Sequence, residues 1–402
     1  MAEAESPAAA SFGRALFALI GGQVALHACM AGIRMAAPLA ALGQGHAAWA
    51  VGVLLGLFAA APIALALQAG RLADRHGYHL PLRLAVGLTV GGGLCAVLST
   101  LLVQGAFVAL CAAAILAGAG TNIGLIAIQR AAGRMAHDPT QLKRIFSWLG
   151  LAPALANVVG PVTAGMLIDL GGFRAAFLVL ALLPLASLAW ARLVPAEPVR
   201  DAVPKASRRS SWGLLQTPGF GRLLFVNWLL SSSWDVHSFL VPILGHQRGF
   251  SASAIGLILG VFATAVTLIR LAIPMLAHRL REGQVLVGAM LCCGAVFAVY
   301  PLAQEAWVMG LCAIVLGLAL GAVQPMIMTT LHQITPADRH GEAIALRSMA
   351  INFSSALMPL AFGLAGATLG ASALFWVMAV AVSSGSLAAR HVGAERAEPA
   401  RT

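Results

Sequence analysis

The chain is apolar almost from end to end, and this continuity restricts its fold more than any single motif does. Of its 402 residues, 60% are hydrophobic and only 10% are charged, and the mean hydropathy is +0.88. A soluble domain carries about 25% charged residues. A larger core cannot account for the deficit, because a protein of this size still has an extensive polar surface. Lipid must therefore be the solvent for most of the chain.

Apolar runs long enough to cross a bilayer follow one another along the sequence. A spanning helix needs about 20 such residues, and the runs predict an all-α membrane protein with about twelve transmembrane helices in two pseudo-symmetric six-helix bundles. Glu3 and Glu5 stand where a cleaved signal peptide would carry basic residues, so we expect the first helix to be retained. The predicted spans are 14–40, 48–69, 80–102, 104–128, 146–168, 175–193, 222–243, 253–276, 284–301, 306–328, 344–367 and 371–389.

The net charge of +11 follows the predicted topology. With the N-terminus inside, all but four of the 25 Lys and Arg lie in or beside cytoplasmic segments; Arg174 and Arg248 lie outside, and Arg34 and Arg270 lie within spans. Cytoplasmic loops of membrane proteins hold the excess of basic residues. We therefore predict a multi-pass protein of the cell inner membrane with both termini cytoplasmic, and the basic charge gives no reason to expect nucleic acid as a partner.

The two halves of the sequence repeat each other. An offset of 204 residues relates Pro38 to Pro242 and Gly52 to Gly256, within the similar segments AVGVLLGLFAAA and AIGLILGVFATA. Because each half has six predicted spans, the repeats enter the membrane in the same orientation. We predict an N-terminal bundle at 1–193, a Pro- and Arg-rich cytoplasmic linker at 194–221, and a C-terminal bundle with a short cytoplasmic tail at 222–402.

The segment after the second span reads Gly70-Arg71-Leu72-Ala73-Asp74-Arg75-His76-Gly77. It resembles the loop signature of the major facilitator superfamily, a glycine followed by an Asp-Arg pair and a second glycine. The resemblance implies that Gly70 allows close helix approach and that Asp74 meets the N-terminal end of a second-half helix, where the dipole favours a carboxylate. Gly70, Asp74, Arg75 and Gly77 would then form a conformational latch.

A second segment points to one branch of this superfamily. Gly160, Pro161 and Gly165 in the fifth span resemble the glycine-rich helix-packing motif of twelve-helix drug–proton antiporters. Small residues let membrane helices pack closely, and proline bends them. The resemblance implies an exporter. The arginine that many proton antiporters carry in the fourth span has no counterpart here.

Polar side chains within the spans are candidates for a substrate cavity, because they are costly in lipid and are retained for function. Gln23, His27 and Arg34 share one face of span one, and Asn227, Ser231 and Asp235 share one face of span seven. The alternative is that they form interhelical hydrogen bonds with no ligand. The predicted cavity residues are Gln23, His27, Arg34, Asn122, Asn227, Ser231, Asp235 and Gln324.

Proton coupling is assigned to the one acidic residue that lies deep inside a span. We predict that Asp235 is the coupling carboxylate and that Arg34, on the repeat-related helix, is its counter-ion. Desolvation favours the neutral acid and a nearby arginine favours the carboxylate, so separating the two would exchange a proton. A permanent salt bridge is the alternative. His27 and His237 are the next candidate proton carriers.

These features predict an alternating-access secondary transporter that exports a small organic compound in exchange for protons. A proton-coupled importer of a metabolite and a non-transporting membrane sensor are the alternatives. The sequence has no phosphate-binding loop of the G-x-x-x-x-G-K-[ST] type and no cluster of catalytic residues, so neither a primary pump nor an enzyme is expected. We expect no cofactor and no metal, a monomer in the lipid bilayer, and six cysteines that serve in packing.

The charge distribution gives a first testable prediction. Tags at both termini and within 196–210 should all report a cytoplasmic location, because the basic segments are expected on that side. Accessibility of each tag in whole and permeabilised cells measures this. A periplasmic report from either terminus would show that the number of spans is wrong.

Overall fold

The computed structural model describes the backbone of residues 7–135, 145, 148–195, 211–276, 281–335 and 340–392. Every regular element in these ranges is a helix. The chain divides into two compact units, which we call the N-terminal unit (Met1–Gln44 with Leu57–Lys205) and the C-terminal unit (Gly45–Gly56 with Ala206–Thr402). Most of the predicted linker, 196–210, lies outside the described residues, and the predicted domain boundaries stay a prediction.

Five of the six helices of the first half are long and largely apolar, as expected of helices in lipid. Residues 45–56, which include the start of α2, belong to the C-terminal unit. These helices are α1 (Pro7–Gly43), α2 (Ala48–His76), α3 (His79–Ser99), α4 (Ala106–Arg134), α5 (Leu151–Leu182) and α6 (Leu185–Ala191).

The second half begins with a short 3-10 helix, Ser211–Gln216, and a second 3-10 turn, Tyr300–Leu302, separates two of its long helices. Its α-helices are α7 (Phe220–Gln247), α8 (Ala252–Leu276), α9 (Glu282–Val299), α10 (Ala306–Ile334), α11 (His340–Leu369) and α12 (Ala371–Ala389).

Ten stretches of the described chain are long and apolar enough to span a membrane, whereas the sequence predicted twelve spans. Two differences account for this. The predicted fifth and sixth spans form one apolar stretch, Leu151–Ala191, whose helix breaks at Gly172 with φ 76° and ψ 175°, a backbone geometry that favours glycine. Helix α7 is absent from the ten because polar residues lower its hydropathy. The exact count of twelve stays a prediction.

Glycines bring α1 and α5 into backbone contact in the N-terminal unit. A Cβ atom at Gly160 would lie 2.5 Å from the carbonyl oxygen of Ala28 and 2.8 Å from the amide nitrogen of Gly32. Pro161 and Gly165 are buried in the same helix. Gly160 therefore lets α5 approach the backbone of α1 closely.

The same kind of contact joins the beginning of α2 to α11 in the C-terminal unit. A Cβ atom at Gly52 would lie 3.1 Å from the Cα atom of Gly363, and one at Gly56 would lie 3.1 Å from the carbonyl oxygen of Ala356. Because these neighbours are backbone atoms, they cannot move aside as a flexible side chain could.

The C-terminal unit has two distinct ends. At the end where α7 begins, which we call the linker end, the Gln333 amide in α10 donates to the carboxylate of Glu282 at the start of α9 over 3.3 Å. At the opposite end, Arg248 follows α7 and donates to the carbonyl oxygens of Pro301, at 2.7 Å, and Ala303. Arg248 thereby fixes the end of α7 to the turn between α9 and α10.

The contact between α1 and α5 gives a testable prediction on stability. Gly160→Ala should lower the free energy of unfolding by about 1–3 kcal/mol, because the new methyl group meets backbone atoms on α1. Gly87→Ala in α3 is the matched control, since no atom lies within 4 Å of its Cβ position. Thermal unfolding in detergent measures both. Equal melting of the two variants would show that α1 can move away from α5 at little cost.

Candidate functional site

The polar stripe of α7 faces α11, and hydrogen bonds join the two helices at three levels. The Nε atom of Arg347 donates to Asn227 Oδ1 over 3.1 Å near the linker end. The hydroxyl groups of Ser232 and Ser354 lie 2.9 Å apart further along. Since the partners advance together along the chain, α7 and α11 run parallel. Both helices therefore begin at the linker end.

Asp235 occupies the third and deepest of these levels. Its side chain is only 5% exposed, and the Ser355 hydroxyl donates to its two carboxylate oxygens over 3.2 and 3.0 Å. The carboxylate is therefore buried between α7 and α11, and its depth in a membrane stays a prediction. The structure also places interhelical hydrogen bonds on the stripe, which was the alternative interpretation of the sequence. The two interpretations are compatible, because one side chain can do both.

Arg347 is the residue that the sequence interpretation missed. The charge distribution places it beside a cytoplasmic segment, at the start of the predicted span 344–367, and the structure shows that this arginine of α11 is only 9% exposed. Asn227 is its one hydrogen-bond partner in the described part of the chain. A signal for it exists in the sequence: Arg347, Ser354 and Ser355 are spaced by seven and eight residues and so share a helical face.

A second arginine in the C-terminal unit also bonds to an amide. An Nη atom of Arg270 in α8 donates to Gln324 Oε1 in α10 over 3.0 Å. The Arg270 Nε atom is buried and has no acceptor. Gln324, a predicted cavity residue, is exposed near the middle of α10.

His237 lies in an aromatic cluster on the other side of α7 from Asp235. It is fully buried, its Nδ1 atom lies 3.1 Å from the Tyr300 hydroxyl, and its ring centroid lies 4.2 Å from that of Phe262. Two residues turn a helix by about 200°, which explains why neighbours in sequence face opposite ways. This placement makes His237 a residue of the unit's core rather than of the stripe, and its role in proton transfer stays a prediction.

The polar stripe of α1 lies within the N-terminal unit. Gln23 is 3% exposed, and its side-chain Oε1 atom accepts no hydrogen bond. His27 is half-buried, and its buried Nδ1 atom has no hydrogen-bond partner. Arg34, also half-buried, lies near enough to act electrostatically on His27. On α4, the Asn122 amide nitrogen is buried without an acceptor. The N-terminal unit therefore holds several polar atoms that its own fold does not satisfy.

The segment predicted as a loop after the second span is helical. Helix α2 continues to His76, so Gly70 and Arg75 lie in its last turns. Gly77 follows the helix with φ +70°, and its backbone N–H donates a hydrogen bond to the carbonyl oxygen of Ala73. Among the described residues, no atom lies within 4 Å of a Cβ position at Gly70, and its role in a close helix approach stays a prediction. The side chain of Asp74 lies outside the described residues.

The predicted cavity residues thus separate into two sets. Asn227 and Asp235 both contact α11, and half-buried Ser231 lies between them on the same face of α7. Gln324 belongs to the same unit but pairs with α8. The remaining predicted residues, Gln23, His27, Arg34 and Asn122, belong to the N-terminal unit.

Comparisons with known proteins agree on one family. The model of the Major Facilitator Superfamily matches residues 19–331 and 223–401. No curated protein matches the sequence. Among solved structures, a POT family transporter in complex with a thioalcohol-conjugated peptide superposes with a TM-score of 0.79 at 13% identity, over 96% of this chain and 97% of that one.

Two further solved structures share the fold. A bacterial homologue of the human lysosomal transporter Spinster, inward-facing and occupied, gives a TM-score of 0.76 at 12% identity, over 96% of this chain and 98% of that one. A bacterial homologue of the iron transporter ferroportin, in the inward-facing state, gives a TM-score of 0.70 at 17% identity, over 95% of this chain and 98% of that one. Identities this low show a common fold and say nothing about the substrate of this chain.

The two tyrosines of the chain give a matched test of the buried cluster around His237. Tyr300→Phe should lower the free energy of unfolding by about 1–3 kcal/mol, because it leaves His237 Nδ1 buried without a partner. Tyr78 is equally buried, but its hydroxyl has no hydrogen-bond partner, so Tyr78→Phe should be neutral or stabilising. Thermal unfolding compares them. A Tyr300→Phe protein as stable as Tyr78→Phe would show that the contact with His237 contributes nothing.

Proposed function

Because the chain belongs to the major facilitator superfamily, we propose that it is an alternating-access secondary transporter that exports a small organic compound in exchange for protons. The family and the transporters that share its fold indicate a transporter rather than an enzyme. The direction and the coupling ion are our proposal, and they are supported by features of individual residues.

One observation carries the coupling: Asp235 is a carboxylate held at 5% exposure among helices of a membrane protein. A buried carboxylate is costly in lipid and changes its charge when its surroundings change. The Ser355 hydroxyl can donate to the charged form and accept from the protonated form. Asp235 can therefore remain hydrogen-bonded in both protonation states, which a residue that cycles between them requires.

Arg34 is the proposed counter-ion of Asp235. The two residues lie in different units, and the proposal rests on the repeat, which places Arg34 at the position equivalent to Ser238, three residues from Asp235. A substrate that competes for Arg34, or a movement that separates the two, would favour protonation of Asp235. His27, on the face of α1 that carries Arg34, is the next candidate carrier.

Export is favoured by the close packing of α1 and α5 at Gly160, which agrees with the motif of the drug–proton antiporter branch. The latch at Gly70, Asp74, Arg75 and Gly77 would bias one conformation of the cycle, and only its helical backbone is described. We further propose a monomer in the inner membrane with both termini in the cytoplasm. An importer would change compound accumulation in the opposite direction in the same assay.

The coupling role of Asp235 is tested with Asp235→Asn. Compounds whose accumulation depends on the wild-type protein are first selected from a broad panel in cells with and without it, and their transport is then measured in proteoliposomes. The variant should exchange substrate down its own gradient yet lose uphill transport. For one proton per substrate, a gradient of one pH unit supports about tenfold accumulation, or about 1.4 kcal/mol. That accumulation should fall to unity in the variant.

Glu305→Gln is the matched control, because Glu305 is an exposed carboxylate at the start of α10. It should retain coupled transport. Uphill transport by Asp235→Asn with the pH dependence of the wild type would make Asp235 a structural residue.

A further inference from the structure

Two guanidinium groups inside the C-terminal unit bond to neutral amides. Arg347 donates to Asn227, and Arg270 donates to Gln324. No carboxylate in the described part of the chain pairs with either arginine. A buried cation is expected to have an anionic partner, because a neutral acceptor does not repay the loss of hydration. The Arg347 site is therefore deficient in negative charge, and half-buried Arg270 adds a second positive charge that has no carboxylate partner in the described part of the chain.

The two pairs lie at a similar depth in the unit. Asn227 and Arg347 each lie seven residues from the linker-end start of their helices, about 10 Å at 1.5 Å per residue. Arg270 lies six residues before the end of α8, about 9 Å, and Gln324 ten residues before the end of α10, about 15 Å. Since α8 and α10 end where α7 and α11 begin, all four residues occupy the linker half of the unit.

Three acidic residues of the C-terminal unit have side chains that the structure describes, and all three lie elsewhere. Asp235 is eight residues, about 12 Å, further along α7, where it bonds to Ser355. Glu282 lies at the start of α9 and accepts from Gln333, and Glu305 precedes α10 at the opposite end. None of these three carboxylates is bonded to Arg347 or Arg270.

Hydrogen-bond donors also remain unused beside both arginines. The amide nitrogen of Asn227 is buried without an acceptor while its oxygen accepts from Arg347, and the Nε atom of Arg270 is buried without an acceptor. Donors in excess and positive charge in excess coincide. A ligand that satisfies both must supply oxygen acceptors and negative charge, as a carboxylate or phosphate does when it binds the planar guanidinium fork.

We propose that the substrate is a small organic anion and that Arg347 with Asn227 binds its carboxylate or phosphate group, while Arg270 with Gln324 supplies a second positive charge in the same half of the unit. This inference rests on the proposed transport function and names its substrate class. A lipid headgroup is a poor occupant for Arg347, because the side chain is 9% exposed and lies among helices.

The site is tested without a known substrate by supplying the missing charge from the protein. Asn227→Asp changes an amide to a carboxylate of the same shape beside Arg347. In the absence of ligand it should raise the melting temperature of the purified protein by about 3 °C or more, because the arginine gains a charged acceptor. Arg347→Gln should also melt no lower than the wild type. A melting temperature of Asn227→Asp at or below that of the wild type overturns the proposal.

The second arm uses probe anions in phosphatidylcholine nanodiscs. Benzoate, succinate and inorganic phosphate are added at ionic strength matched with sodium chloride, and benzamide and succinamide serve as neutral counterparts. At least one anion should raise the melting temperature of the wild type by about 3 °C, and its neutral counterpart should leave it unchanged. The shift should vanish in Asn227→Asp and Arg347→Gln and weaken in Arg270→Gln. Arg390→Gln, which removes an exposed arginine at the linker end, should keep the whole shift.

Two outcomes of this arm overturn the proposal: equal stabilisation by the neutral counterparts, or an anion shift that persists in Arg347→Gln. Repeating the melting measurement in nanodiscs with added phosphatidylglycerol distinguishes binding of a lipid headgroup from binding of a free anion. If that lipid alone abolishes the shift produced by the stabilising anion, a lipid occupies the site and the proposal is wrong. The assay measures binding alone, so anion binding without proton-coupled transport would reject only the proposed function. Coupled transport of cations or neutral compounds would reject only the substrate class.

Discussion

A polar side chain among membrane helices has to find its hydrogen-bond partner within the protein, and this constraint organises the C-terminal unit. Water is not available in the hydrocarbon region to satisfy a hydroxyl, an amide or a charge. Helix α7 carries the densest set of such groups, and three of them are bonded to α11. The position of α11 beside α7 follows from these bonds. Where the protein offers only part of what a side chain needs, as at Arg347, the remainder has to come from a ligand.

Close backbone packing is the second condition on which this arrangement depends. Apolar side chains gain little from burying one another in lipid, so membrane helices associate through van der Waals contact and hydrogen bonds. Gly160 against Gly32 and Gly52 against Gly363 remove the side chains that would hold the helices apart. Polar bonds such as that between Ser232 and Ser354 can form only at separations of this kind. Glycines and polar residues therefore act together to hold the helices close.

Much of the fold could be predicted from the sequence, because lipid imposes simple rules on length and charge. The apolar runs, the internal repeat and the depth of Asp235 were all visible in the sequence. Arg347 was missed because a basic residue near a span's end is commonly a loop residue, and only its partner Asn227 shows otherwise. The opposite orientations of His237 and Asp235 follow from helical geometry, but their partners depend on which helices lie beside α7. The break at Gly172 depends on a backbone conformation that hydropathy does not record.

The bonds between α7 and α11 also have a mechanical consequence. Three attachments along a parallel pair resist sliding and rotation of one helix against the other, since either motion would strain all three bonds together. The pair should behave as a stiff rod, with its deformation displaced to neighbouring helices. Asp235 and Arg347 are fixed to this rod about two turns apart. Whatever the two groups bind is therefore carried at a constant spacing, so that one movement transmits force to both.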